Sequence, residues 1–284
     1  MGKRIFERNA MKSYLDLLRD VIRNGESHDD RTGVGTVSVF GRQWRHDMRE
    51  GFPLLTTKKI PLRWVFEELR WFLSGSTNEK DLRKQGVDIW AEWATPEQCA
   101  KFDREPGDLG PVYGKLWRSF EGVDQIKYLL KDIEQNPNSR RLLVTGWHPA
   151  LQTRVALPPC HTVWQIKCHP GGDMSLHLYA RSIDIFLGLP FNVASYALLL
   201  KMLAQVTGRH ARDLVISFGD LHLYKTHFQQ AETQLGREPS PLPDLEVCDM
   251  PQESALDRLL AYRWENIVLD RYHPHPKIEA PVAI

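Results

Sequence analysis

Leu157-Pro158-Pro159-Cys160-His161-Thr162 sets a thiol directly after two prolines and directly before a strand-forming run, Val163-Trp164-Gln165-Ile166-Lys167-Cys168. Two prolines cannot continue a helix, and they force an extended approach. Cys160 is therefore expected in a rigid turn at the mouth of a strand, a setting that holds a sulfur at a defined angle. A buried structural cysteine is the plain alternative. Arg181-Ser182-Ile183-Asp184, downstream, shifts the balance, because a guanidinium beside a thiol favours the thiolate nucleophile at neutral pH.

Outward from this stretch, Met174-Ser175-Leu176-His177-Leu178-Tyr179-Ala180 alternates strictly and reads as a half-buried strand, with Arg181, Ser182 and Asp184 at its end. Residues 192–206 read as a strongly apolar helix. Leu214–Phe218 reads as a strand followed by Gly219-Asp220-Leu221-His222-Leu223-Tyr224. His222 and Tyr224 share a face if that strand continues. Upstream, Ser139-Arg140-Arg141 precedes a buried-type strand, Leu142-Leu143-Val144. Paired arginines are either a solvated face or a clamp for carboxylate or phosphate.

The N-terminal half supplies further candidates. Met11, Tyr14, Leu15, Leu18 and Ile22 recur at helical spacing over residues 10–24. Asp30-Arg31-Thr32-Gly33-Val34-Gly35-Thr36 then leads into a β-run, Val37–Phe40. A dinucleotide fingerprint fails here, because the third glycine is missing and a strand follows instead of a helix. A glycine-rich turn carrying Arg31 still suits a phosphate. After Pro61, the positions Leu62, Val65, Phe66, Leu69, Phe72 and Leu73 form an apolar helical stripe. Glu68 falls on that stripe, whereas Glu67 falls with Arg63 and Arg70 on the wetter side. A carboxylate facing a core is either a satisfied structural acid or a proton-handling one with a raised pKa. Trp90 and Trp93 are core residues or the wall of a flat-ring pocket. Residues 95–110 read as polar loop, Gly107–Gly114 as turn chemistry around Tyr113, and residues 123–135 as a helix stopped at Asn136-Pro137. The tail Ala280-Pro281-Val282-Ala283-Ile284 frays or folds over as a lid.

Composition narrows the class. The chain has 284 residues with 37 basic and 36 acidic side chains. That near balance argues against a DNA-coating or polybasic membrane protein and leaves small anionic ligands open. Four cysteines without a CxxC pair argue against a zinc ribbon. Cys160-His161 and Cys168-His169 diverge if they lie in strands, so no metal is expected. No apolar run reaches membrane length and no signal-peptide pattern opens the chain. A reduced, cytoplasmic compartment is the simplest reading.

Taken together, Leu157-Pro158-Pro159-Cys160-His161, Arg181-Ser182-x-Asp184, Phe186–Asn192, Gly219-Asp220-x-His222-x-Tyr224 and the terminal Ala-Pro-Val-Ala-Ile resemble the thymidylate synthase family. The resemblance runs from about Met11 to Ile284. It implies one domain over residues 1–284, with 1–10 as an N-terminal extension. It also implies a mixed α/β fold around a large twisted sheet flanked by helices, and a homodimer packed sheet to sheet. By motif, Cys160 corresponds to the nucleophile that adds to C6 of dUMP. Arg31, Arg181 and Ser182 correspond to phosphate ligands, and Arg140 and Arg141 to the pair lent by the partner subunit. Asn192 corresponds to the amide that reads the pyrimidine, and His222 and Tyr224 to the ribose ligands. Glu68, Tyr113 and His161 correspond to the proton-moving water network. Asp184, Trp90, Trp93 and Ala283 correspond to the side that takes 5,10-methylenetetrahydrofolate, the one-carbon and hydride donor.

Several positions depart from the usual family pattern. Ala180 stands where Gln is usual, His148 where Asn is usual, and Pro61 where His is frequent. Phe218 replaces a Gly or small aliphatic residue, and Lys225-Thr226 precede His227. These departures keep dUMP 5-hydroxymethylation, with water instead of hydride as the trap, as an alternative to dTMP synthesis. Cytosine-specific relatives usually carry Asp at the position of Asn192, and an amide suits uracil's O4 and N3–H. A non-catalytic nucleotide- or RNA-binding relative is the third reading. It has no use for Cys160, Glu68 and Asn192 together.

Overall fold

The structure, a computed structural model, describes residues 10–30 and 32–283. Its strands are β1 Glu26–His28, β2 Thr36–Asp47, β3 Leu143–Thr145, β4 His161–Cys168, β5 Asp173–Asp184, β6 His210–Tyr224, β7 Asp244–Val247 and β8 Ile267–Asp270. Its helices are α1 Ala10–Asn24, α2 Leu62–Ser74, α3 Glu79–Arg83, α4 Pro96–Ala100, α5 Tyr113–Arg118, α6 Gln125–Gln135, α7 Gly188–Val206, α8 Phe228–Leu235 and α9 Ala255–Ala261. Six strands form one mixed sheet in the order β1-β2-β6-β5-β4-β3, and β7 and β8 form a separate hairpin. β5 and β6 run parallel with α7 as their crossover; the other neighbours are antiparallel. This is the large mixed sheet flanked by helices that the sequence implies.

The two faces of the sheet differ. Leu176, Leu178 and Ala180 on β5 pair with Leu214, Ile216 and Phe218 on β6, and all six are buried beneath the helices. Ala180 lies between His161 of β4 and Phe218 of β6. The smallest side chain in that row thus adjoins one of the largest. The opposite face carries Gln43, Arg45, Gln165, His177 and Val215 around a groove of about 380 Å³. Ser217 ties it together, accepting from Gln43 at 3.0 Å and meeting the His177 ring nitrogen at 2.8 Å. Leu143 and Tyr179, in register with Gln165 and Ser217, are exposed on this face.

Four expectations need correction. α7 is long and apolar enough to cross a bilayer, contrary to the reading that no run reaches that length. However, 78% of its apolar window is buried inside the fold, so its hydrophobicity serves a two-sided core. α7 also begins at Gly188, not Asn192. The Asp184 carboxylate accepts from the Phe186 and Leu187 amides, and Pro190 sits in the first turn, where its missing N–H is not needed. Arg181, Ser182 and Asp184 are still in β5, because β6 pairs with Ser182 and Asp184 and the Arg181 amide donates to the Cys160 carbonyl. Residues 95–110 are not all loop. Thr95 caps the short helix α4 and Pro96 opens it.

Candidate active site

The sulfur is held by an arginine. Cys160 ends the loop before β4, and its amide donates to the Tyr113 hydroxyl at 2.8 Å. Arg181 donates from Nε to the Pro159 carbonyl and from Nη2 to the Pro158 carbonyl, each at 2.9 Å. Nη2 also lies 3.9 Å from Cys160 Sγ. The guanidinium therefore braces the Pro-Pro turn and stands where it stabilises negative charge on sulfur. Trp147 backs it, with the guanidinium carbon 5.4 Å from the ring centre. Gly219 makes this possible, since a Cβ there would lie 2.6 Å from the Arg181 carbonyl oxygen.

Behind the sulfur lies a buried acid–aromatic cluster. Glu68 of α2 accepts from Trp90 Nε1 at 2.7 Å. Burial pushes its carboxyl up to about 7, with the Trp90 bond pulling the other way. Such a group exchanges a proton near neutrality. Tyr113 reaches this place because α5 packs closely on α2. A Cβ at Gly114 would lie 2.7 Å from the Phe72 carbonyl oxygen. Burial holds the Tyr113 hydroxyl well above its ordinary value, and the neighbouring Cys160 adds to that effect. His161 sits 5.0 Å from the Tyr113 ring, and burial lowers it to about 4, against an opposing hydrogen bond with Asn192. Its imidazole is therefore neutral at pH 7. Glu67 departs from expectation. It is buried too, and its charge is met by Arg70 at 3.0 Å.

A second cluster gathers at the C-terminal end of β5. The Asp184 carboxylate faces the fully buried His227, with Nδ1 to Oδ2 4.0 Å. The other His227 nitrogen meets the Pro281 carbonyl at 2.7 Å, tying the tail to this end of the site. Lys58 is buried beside them. Its amine lies 3.6 Å from the Phe186 ring centre and donates to the Phe186 carbonyl. Burial pushes it down to about 7, with Asp184 opposing. Along β6, His222 and Tyr224 stand edge to face at 5.2 Å, and His222 Nδ1 meets Asp220 at 2.7 Å. Ser182, in β5, is the register partner of that same Asp220.

Among the residues singled out from sequence, Cys160, Glu68, Tyr113, His161, Asn192, Trp90 and Arg181 form one connected group. Trp93 packs on Trp90 at 5.9 Å, and Ala283 is half-buried in the tail. Arg140 and Arg141 do not join this group. Arg140 lines the groove on the open sheet face beside Gln165, about 17 Å of strand from Cys160. Arg31 and Ile284 lie outside the described residues. Among the described residues, no group of three or more His, Cys, Asp or Glu is placed to hold a metal. His169 meets the Ser175 hydroxyl at 2.9 Å. Sequence reasoning missed Lys58, Trp147 and His227 as members of the site. Only His227 carried a signal, three residues beyond Tyr224 in the same motif. The family model described as thymidylate synthase matches residues 12–284.

Proposed function

Since the chain belongs to the thymidylate synthase family of folate-dependent methyltransferases, we propose that it converts dUMP to dTMP with 5,10-methylenetetrahydrofolate, giving dihydrofolate. The observation that carries this reading is the Cys160 sulfur 3.9 Å from a guanidinium, with Tyr113 and the buried Glu68 behind it.

In this reading Cys160 adds to C6 of the uracil ring, and C5 becomes an enolate-like carbon that attacks the donated methylene. Arg181, Arg31 and Ser182 hold the phosphate, and His222 and Tyr224 hold the ribose. Asn192 donates to and accepts from the uracil edge, and the neutral His161 supports that amide. Glu68 and Tyr113 handle the protons. The bound folate supplies the one-carbon unit and the hydride. Asp184 and the Trp90–Trp93 wall orient it, and the tail that carries Ala283 keeps water out. No metal takes part.

The chain works as a single domain with residues 1–10 as an extension, in a cytoplasmic homodimer. The open sheet face, with exposed Leu143 and Tyr179 in register with Gln165 and Ser217, supports a second copy packed there. Arg140 and Arg141 then reach the neighbour's phosphate instead of their own. Mixing an Arg140→Ala protein with a Cys160→Ser protein should restore activity through hybrid sites. No recovery despite proven subunit exchange refutes the sharing.

A second reading, dUMP 5-hydroxymethylase, draws on Ala180, the register partner of His161, and on Phe218, the partner of Ala180, which depart from the family pattern the sequence resembles. The tie between His227 and Pro281 favours hydride transfer, because it brings the tail to the folate end. Incubation with dUMP and the folate, followed by weighing the nucleotide, decides between them. A product mass of 5-hydroxymethyl-dUMP with no rise in dihydrofolate absorbance refutes the synthase. Retained function in Cys160→Ala would instead support a nucleotide- or RNA-binding relative.

A further inference from the structure

Tyr196 has no part in the chemistry described so far, yet it sits against that chemistry. It lies four residues after Asn192 in α7, so the two side chains rise from one helix face. Its ring stands edge-on to His161 at 5.2 Å and 6.4 Å from the Trp117 ring. The side chain is 2% exposed, and its hydroxyl is a buried atom with no hydrogen-bond partner among the described residues. Trp117 Nε1 and His161 Nδ1 are buried and unpartnered in the same way. Trp117 Nε1 points to the shared space, since a Cβ built on Gly146 would lie 3.6 Å from it, 3.7 Å from Tyr113 and 3.0 Å from the His161 carbonyl.

Buried donors and acceptors are nearly always bonded, to protein or to ordered water. One orphan is a local accident. Three on rings that pack together mark a place for water, which needs two to four polar partners. The hydroxyl is also held well above its ordinary value, chiefly by burial, with Tyr113 and Glu68 adding to the effect. Tyr196 is therefore a neutral hydroxyl within the electrostatic reach of both groups, free to donate and to accept.

We propose that Tyr196, with Trp117, anchors an internal water behind the nucleophile, and that this water belongs to the proton-moving network the resemblance gives to Glu68, Tyr113 and His161. When C5 loses its proton to the water, a proton of that water passes to the Glu68 carboxylate, which becomes a carboxylic acid. No electrons change owner. Tyr196 is a positioning residue acting through the water. The inference rests on the proposed dUMP chemistry and deepens it.

Tyr196→Phe removes the hydroxyl and keeps the ring. The assay is tritium release from dUMP labelled at C5, with the folate present, across the pH range around neutrality. dUMP affinity and the melting temperature are measured alongside. The expected result is release slowed by about tenfold or more, with a displaced pH profile, unchanged dUMP affinity and a melting temperature no lower than before. Wild-type release with a wild-type pH profile overturns the inference. If the variant does not fold, the wild-type protein in mixtures of light and heavy water still tests it. A relay gives a solvent isotope effect on tritium release, and its absence refutes the relay. If the unmodified protein releases no tritium at all, the dUMP reading itself falls, an outcome separate from a normal Tyr196→Phe.

Discussion

Ala180 and Phe218 are cross-strand partners, both buried, and neither is the residue usual at its place in the family. A small side chain beside a large ring is the pairing expected if the two positions changed together. Restoring glutamine at Ala180 alone would drive a methylene and a carboxamide against the Phe218 ring. Overpacking costs about 1–3 kcal/mol, and stranding an amide in that wall costs about 1–3 kcal/mol more. We expect Ala180→Gln to lose roughly 4 kcal/mol. Phe218→Ala leaves a cavity and should lose about 3–5 kcal/mol. In the double variant the carboxamide fills the space the ring vacated. The combined loss should therefore fall short of the sum by about 2–3 kcal/mol. Urea unfolding of the four proteins at one fixed protomer concentration measures this. A coupling below about 0.5 kcal/mol, within the range of independent sites, refutes the idea that these two positions changed together.

Three further outcomes follow from the geometry. Glu68 titrates at about 7 in the fold and near 4.5 when unfolded, so the unfolded chain gives up its proton first. Stability then declines as pH rises from about 4.5 to 7, by about 3 kcal/mol. Glu68→Gln should thus gain on the wild type between pH 5 and pH 8 in urea titrations; a constant difference contradicts the raised pKa. His161 slopes the other way between about 4 and 6.5, but it is common to both proteins and cancels. His227→Phe removes the bond to the Pro281 carbonyl and should raise the folate KM about fivefold, with dUMP affinity intact; an unchanged KM refutes the latch. Arg181→Met should slow iodoacetamide alkylation of Cys160 at pH 7 by about tenfold, read by peptide mass mapping. Equal rates refute its hold on the sulfur's charge.

Local rules carried the reading a long way. Two prolines before Cys160 made the turn and strand legible, strict alternation gave the middle of β5, and helical spacing put Glu68 on the core side of α2. The misses share a cause, which is that periodicity sees one element at a time. Glu67 was grouped correctly with Arg70, its i,i+3 partner, but was left on the wetter side because its own helix cannot reveal the other elements that bury it. Lys58 meets Phe186 across 128 positions of chain, a contact no local pattern encodes. The ends of β5 depend on pairing with β6, and the start of α7 depends on the Asp184 carboxylate. His227 lies just past β6, where the two-residue period used for His222 and Tyr224 stops. The residues that complete the site are thus the ones whose meaning comes from a distant partner.

Arg181 has a mechanical consequence. A guanidinium offers five N–H groups, and two of its nitrogens already donate to the Pro158 and Pro159 carbonyls. If the dUMP phosphate takes what remains, as proposed above, one rigid plane is gripped at both edges. Its inner edge carries the turn on which the sulfur rides. A ligand bearing a phosphate then aligns the nucleophile as it lands, whereas a bare nucleoside, however well its ring fits, leaves the lever slack.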